Sequence, residues 1–230
     1  MRTERGFDRL VNFSDAVVAI AITLLVLPLV DLEIPEGHSA WDLFADSDGR
    51  AQSEILAFIL SFYVIAQLWL GHHRIFEDFR SYDSGLARLN LLWLVSIVFL
   101  PFPTSMLGEE DPAFSNGVGV LYLLNLALAS ASLALLTQYA ERHPQLLDPR
   151  LRDRPRVPWY WEWAFVGYFL AVAVVCLFAP AVAIWLMIGV LVVGVSQGRM
   201  TSRVRRQSDN DAAAAAGPAA VDEPPPGATA

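Results

Sequence analysis

Arg9, Phe13, Ser14 and Asp15 stand at the head of an apolar run, Ala16 to Val30, broken only by Thr23 and Pro28. Ionisable residues at membrane depth pair inside the protein or line a polar path, so this group calls for partners. Arg9 and Asp15 are six residues apart, about one and two-thirds helical turns, and therefore lie on different faces. Other segments must supply what each needs. A second reading has Asp15, Ser14 or Asn12 capping a helix start, where a carboxylate suits the positive end of the dipole. A secretory signal is not expected, because Asp15 interrupts the approach and no small-x-small site precedes Asp31-Leu-Glu-Ile-Pro35.

Polar partners occur at matching places in two later segments. Trp69-Leu-Gly-His72-His73-Arg74 ends one apolar stretch, and Leu89-Asn90-Leu-Leu-Trp93 opens another. Adjacent histidines on a helix point about 100° apart, and the metal-binding pattern needs His at i and i+4 with an intervening Glu, so no metal site is expected. Trp69, His72 and Asn90 suit an interhelical hydrogen-bond network around Arg9, Ser14 and Asp15. The alternative for Trp69 is a place in an interfacial aromatic belt.

Within the first run, Ala16, Ile20, Thr23 and Leu27 follow i, i+4, i+7 and i+11 and make one stripe flanked by Leu24. Copies of it around an axis would set apolar rings of Ile20 and Leu27 on either side of a ring of Thr23 hydroxyls. Apolar rings gate by dewetting, and oxygen rings replace part of an ion's hydration shell. The same stripe would also serve as ordinary helix packing. No phosphate loop, Gly-x-Ser-x-Gly or nucleophile–base pair is present, so no enzyme is expected, and no Thr-Val-Gly-Tyr-Gly filter is present either.

These residues must be positioned by membrane helices. The chain is 55% hydrophobic, beyond an ordinary soluble domain, and reads as an integral membrane protein. Apolar stretches long enough to cross a bilayer fall near 10–30, 54–76, 87–107, 114–140, 161–179 and 181–198. The last two are expected to form a tight hairpin at Ala179-Pro180-Ala181, since together they are twice one span. Pro101 and Pro103 imply a broken outer end to the third.

All 16 basic residues are arginine, and Arg50 alone lies in the loops that alternate away from the rest. Positive-inside then places both termini in the cytoplasm with six spans. The opposite loops carry Asp31, Glu33, Glu36, Asp42, Asp46, Asp48, Glu109, Glu110 and Asp111. They read either as solvated loops or as a vestibule that concentrates cations. The net charge of −8 suggests no nucleic-acid partner. Cys176, the single cysteine, excludes an intrachain disulfide. Residues 1–206 are expected to form the membrane domain and 207–230, rich in Ala, Pro and Asp, a disordered cytoplasmic tail.

The run Arg9-x-x-x-Phe13-Ser14-Asp15-Ala-Val-Val-Ala-Ile20-Ala-Ile-Thr23-Leu-Leu-Val-Leu27 resembles the first helix of the transmembrane protein 175 family. Trp69-x-x-His72 and Leu89-Asn90-Leu…Leu100-Pro101-Phe102 are similar to its second and third helices, so the resemblance covers roughly residues 5–108. It implies an all-α polytopic bundle whose first helix lines a central pore, four six-span chains assembling in the bacterial relatives. Ile20 would match the hydrophobic constriction, Thr23 the selectivity hydroxyl layer one turn on and Leu27 a further apolar ring; Leu24, flanking the stripe, is counted with Ile20 and Leu27 in the constriction. Arg9, Ser14, Asp15, Trp69 and His72 would match the structural polar network, to which Asn90 belongs by its place in the third segment. Ala16 replaces the family's usual Gly, and Pro28 stands where an acidic residue often follows the Leu-Leu-Val-Leu run.

The expectation is a homotetrameric, potassium-preferring cation channel of a bacterial plasma membrane, taking no cofactor. Its partners would be lipid, permeant monovalent cations and copies of itself. Two rivals remain: a proton- or cation-coupled carrier with Asp15 and His72 as its relay, and a non-transporting membrane scaffold.

Overall fold

The computed structural model describes residues 4–32, 49–109, 117–149, 159–183, 185–187 and 189. Among them the regular structure is helical, apart from one isolated bridge. The elements are α1 (Glu4–Leu24), α2 (Leu27–Val30), α3 (Arg50–Glu77), α4 (Ser84–Phe99), α5 (Pro101–Glu109), α6 (Val118–Arg142) and α7 (Trp159–Phe178), with a 3₁₀ turn at Pro144–Leu146. Among the described residues, four helical stretches are long and apolar enough to cross a membrane: Arg5–Val30, Arg50–Glu77, Ser84–Leu107 and Val118–Arg142. Met1–Ile188 is one compact unit; of the rest, Gly189–Ala230, only Gly189 is described. The tail expected over 207–230, most of the sixth span and the acidic residues Glu33 to Asp48, Glu110 and Asp111 lie outside the described residues.

Prolines explain where two spans break. Pro28 has no N–H to give the carbonyl of Leu24, and the helix tightens into turns at Leu25 and Val26 before resuming as α2. Pro101 likewise withholds a donor from Ile97, and the amide of Leu100 turns to that carbonyl at 3.2 Å. That leaves the carbonyl of Ser96 without its usual partner. Asn125 Nδ2 of α6 donates to it at 2.9 Å. The bundle is tied again near this break, where Thr104 Oγ1 and the Tyr122 hydroxyl both reach Ser61 Oγ, at 2.9 and 3.1 Å. Ser61, Ser96, Thr104, Tyr122 and Asn125 are all buried.

Helix α6 is the centre of the bundle, packing against α7, α4, α5 and α3, while α1 lies at the edge against α4 and α3. Near Ala179 the chain reverses. The Tyr168 hydroxyl donates to the carbonyl of Leu186 at 2.7 Å, whereas one straight helix would part those residues by about 27 Å.

The ends of α1, α3, α4 and α6 that carry Arg5, Arg9, Arg74, Arg88 and Arg142 meet in an apolar cluster. Phe7, Phe76, Phe79, Leu86, Leu136, Ala140, Leu146 and Leu147 form its core. Phe7 stacks on Phe76 at 5.9 Å and anchors the part of α1 that precedes the apolar run. Backbone bonds from Arg80 N–H to Leu146 (2.9 Å) and from Asp148 N–H to Asp78 (3.0 Å) zip the two connecting loops together.

Asp83 caps α4, accepting the amides of Gly85 and Leu86 at 3.0 and 2.9 Å, and takes the Tyr139 hydroxyl at 2.8 Å. A Cβ on Gly85 would fall 2.7 Å from Tyr139 Cζ, so glycine is what lets the ring reach across. Partial burial pushes the Asp83 carboxyl up, but the Leu86 amide, the Tyr139 hydroxyl and the Gly85 amide together hold it below the usual carboxylate range. A depressed folded pKa stabilises fully above the unfolded value of about 3.9 and is lost as pH falls through the lower folded value. Asp83→Ala should cost about 1 kcal/mol, typical of a lost N-cap, and flatten the acid limb of thermal stability. Gly85→Ala should lower stability while leaving that cap in place. Thermal unfolding of the purified protein across pH 3–7 checks both; an unchanged acid limb in Asp83→Ala would contradict this assignment.

Candidate functional site

Two opposite faces of α1 define the site. The inner face is Phe7, Ser14, Val18, Ala21 and Leu25, spaced seven, four, three and four residues and all buried against the bundle. The outer face carries Ala16, Ile20, Thr23, Leu24 and Leu27, all exposed on the single chain. The contrast is large: Ile20 is 60% exposed, Leu27 54% and Leu24 40%, against 2% for Leu25.

Polar bonds set the rotation. Ser14 Oγ donates to the carbonyl of Leu10 at 2.9 Å and accepts Asn90 Nδ2 of α4 at 2.8 Å. Asn90 Oδ1 is then an acceptor only, so the proton in its 2.7 Å bond to His72 sits on Nε2 of the ring. His72 is enclosed between Trp93 at 3.9 Å and Phe76 at 4.1 Å, both stacked. Trp69 Nε1 donates to Asp15 Oδ1 at 2.8 Å. Five of the six polar residues singled out in the sequence are thus brought together on three helices. Asp15 lies eleven residues into α1 and caps nothing, which removes the helix-start reading.

Arg9 is not brought in. It is exposed, about one and two-thirds turns before Asp15, and joins none of these bonds among the described residues. His73 pairs instead with Glu77 on its own helix at 3.5 Å. Phe76, Phe7 and Trp93 complete an aromatic column running from the apolar cluster to the Asn90 bonds. Sequence reasoning missed its role, although an aromatic residue four positions after His72 is the pattern that would reveal it.

Thr23 Oγ1 donates to the carbonyl of Ile20 at 2.8 Å. Its proton is therefore engaged, and the oxygen of this exposed residue keeps lone pairs with which to accept. The open face so combines apolar side chains with an oxygen layer and carries no ionisable group between Ala16 and Leu27.

Asn90→Leu leaves both His72 Nε2–H and Ser14 Oγ without their buried partner, and should destabilise by about 1–3 kcal/mol. Trp69→Phe removes one bond to a charged acceptor and should cost about 1.5–3 kcal/mol. Thermal unfolding in detergent reads both. Stability equal to wild type in Asn90→Leu would show that the bonds do not hold α1.

The family model described as Endosomal/lysosomal potassium channel TMEM175 matches residues 9–101, the stretch holding both faces of α1 and its partners. A protein named a potassium channel from Streptomyces collinus is 37% identical over 150 residues, covering 64% of this chain and 70% of its own. One of the same description from Chamaesiphon minutus is 33% identical over 153 residues, covering 59% of this chain and 71% of its own. The zebrafish endosomal/lysosomal proton channel TMEM175 is 27% identical over 172 residues; they cover 74% of this chain but only 32% of that much longer one. In fold, the chain is similar to the crystal structure of a lysosomal potassium-selective channel TMEM175 homolog from Chamaesiphon minutus. The TM-score is 0.66 at 23% identity, over 84% of this chain and 98% of that one. With its matched motifs on three adjoining helices, the chain belongs to the TMEM175 family of ion channels.

Proposed function

We propose that the chain is a potassium-preferring cation channel of a bacterial plasma membrane, assembled as a homotetramer with α1 lining the pore. The observation that carries the reading is the two-faced α1. One face is locked to the bundle by a buried and a part-buried hydrogen bond, while the opposite face leaves Ile20, Thr23, Leu24 and Leu27 open. A lipid-facing helix gains nothing from a hydroxyl layer between apolar side chains; a pore wall does, because Thr23 returns oxygen ligands to an ion that Ile20 has stripped of water. Ile20 forms the main constriction, with Leu24 and Leu27 as further apolar layers and Thr23 as the selectivity residue. The names of the Streptomyces and Chamaesiphon relatives support potassium as the permeant ion.

In this reading six helices span the membrane and both termini are cytoplasmic, as the arginine distribution favours. Residues 1–206 make the channel and 207–230 a cytoplasmic tail. Arg9, exposed on the single chain, completes the polar network only across a subunit boundary. Proton permeation is the second reading, favoured by the proton-channel name of the vertebrate relatives.

Ile20→Asn supplies polar atoms at the narrowest level and should raise potassium conductance severalfold with looser selectivity. Thr23→Ala should shift the reversal potential toward equal potassium and sodium permeability. Leu25 is buried on the inner face, so Leu25→Asn should lower stability without raising conductance. Bilayer currents under mixed potassium and sodium gradients measure all three. Unchanged conductance in Ile20→Asn, with an increase in Leu25→Asn, would place the pore on the other side of α1.

A further inference from the structure

The open stripe of α1 does not end at Ala16. The helix runs unbroken from Glu4 to Leu24, so spacing alone tells which residues share a side. Arg5 precedes Thr23 by eighteen residues, five full turns, and lies directly beneath it on the helix. Arg9 precedes Ile20 by eleven residues, three turns and about 20°. Both arginines are exposed, as the stripe is. Past the break at Pro28, Asp31 follows Leu27 by four residues, closes α2 and is exposed too.

No other charge shares that side over this length. Asp15, the one ionisable residue between Arg9 and Asp31, is turned aside to Trp69 at 2.8 Å. Asp8 stands about 80° round the helix from Ala16, off the stripe. The outward side of α1 is therefore positive at its first turns, uncharged along its middle and negative just beyond α2. In the pore reading, the network of a neighbouring subunit offsets the charge of Arg9. Arg5, about one turn further down, keeps its own. Arginines on the cytoplasmic side also fix topology, but that role needs no particular side of a helix.

Charges at the two mouths of a pore act on opposite currents. Ions driven from one side enter through the mouth on that side, and a local potential of about one kT changes their concentration there about threefold. We propose that rings of Arg5 at the cytoplasmic mouth and of Asp31 at the outer mouth make the channel rectify, carrying cations inward more readily than outward. The inference rests on the pore-lining reading of α1 and deepens it by naming the direction of flow that the pore favours. In equal salt at zero voltage no net current flows; the asymmetry appears only under drive. Because both rings are exposed, salt screens them: the Debye length falls from about 30 Å at 0.01 M to about 3 Å at 1 M.

The test is current through inside-out patches bearing the full chain, in equal potassium chloride on both sides, at equal voltages of opposite sign. At low salt the inward current should exceed the outward by roughly two- to threefold, and the ratio should approach one in about 1 M salt. Arg5→Gln should raise outward current and leave inward current unchanged, Arg5→Glu should invert the ratio, and Arg5→Lys should keep it. Asp31→Asn should lower inward current alone. Arg142→Gln, at an exposed arginine ending α6, should alter nothing. If the Arg5 variants do not assemble, an Arg5→Cys, Cys176→Ala chain can be modified from the cytoplasmic side after assembly; a cationic thiol reagent should restore the ratio and an anionic one invert it. A linear wild-type current at low salt overturns the proposal. So does unchanged rectification in Arg5→Gln, or an equal effect from Arg142→Gln. Conductance of Ile20→Asn judges the pore separately: if it rises while Arg5 has no effect, the pore stands and the charged rings do not.

Discussion

Inside a bilayer no water is at hand to satisfy a polar group, so every donor and acceptor must find its partner within the protein. That constraint organises this chain. Ser14, Asn90 and His72 would each be costly alone among apolar helices. Linked from the Leu10 carbonyl through Ser14 and Asn90 to His72, they satisfy one another and leave α1 with one rotation about its axis. Asp15 and Trp69 repeat the restraint on the adjoining helix. Turning α1 by even one residue, about 100°, would break both ties and expose their buried groups.

The open stripe follows from that rotation. With Ser14, Val18, Ala21 and Leu25 turned inward, geometry leaves Ile20, Thr23, Leu24 and Leu27 outward. The aromatic column of Phe7, Phe76, His72 and Trp93 carries the same restraint down to the apolar cluster, where the connecting loops are zipped. At the other end the prolines loosen the helices. At the α4 break, Asn125 from α6 takes up the carbonyl that the break frees.

Much of this was legible in the chain because membrane physics leaves few choices. Apolar length marks the first four spans, and Asp15, Trp69, His72 and Asn90 stand out as polar groups with no tolerable place in lipid. The resemblance on the first three helices pointed to the family. Other features were hidden for physical reasons. The docking of the first turns of α1 depends on Phe7 meeting Phe76, a contact between residues far apart in sequence that no local propensity reports. Asn125 is visible as a polar residue in an apolar run, but its acceptor is a backbone carbonyl made available by a proline on another helix. Arg9, which the sequence already puts on a different face from Asp15, joins none of these bonds of the single chain among the described residues.

The central claim is that the outward stripe of α1 lines an ion path. Single cysteines introduced along α1 test it most directly, with Cys176 first replaced by Ala and a membrane-impermeant, charged thiol reagent added during current recording. The account predicts that Thr23→Cys and Leu27→Cys channels lose most of their current on modification, while Val18→Cys and Ala21→Cys channels keep theirs. Loss of current confined to Val18→Cys or Ala21→Cys, with the stripe unaffected, would contradict it.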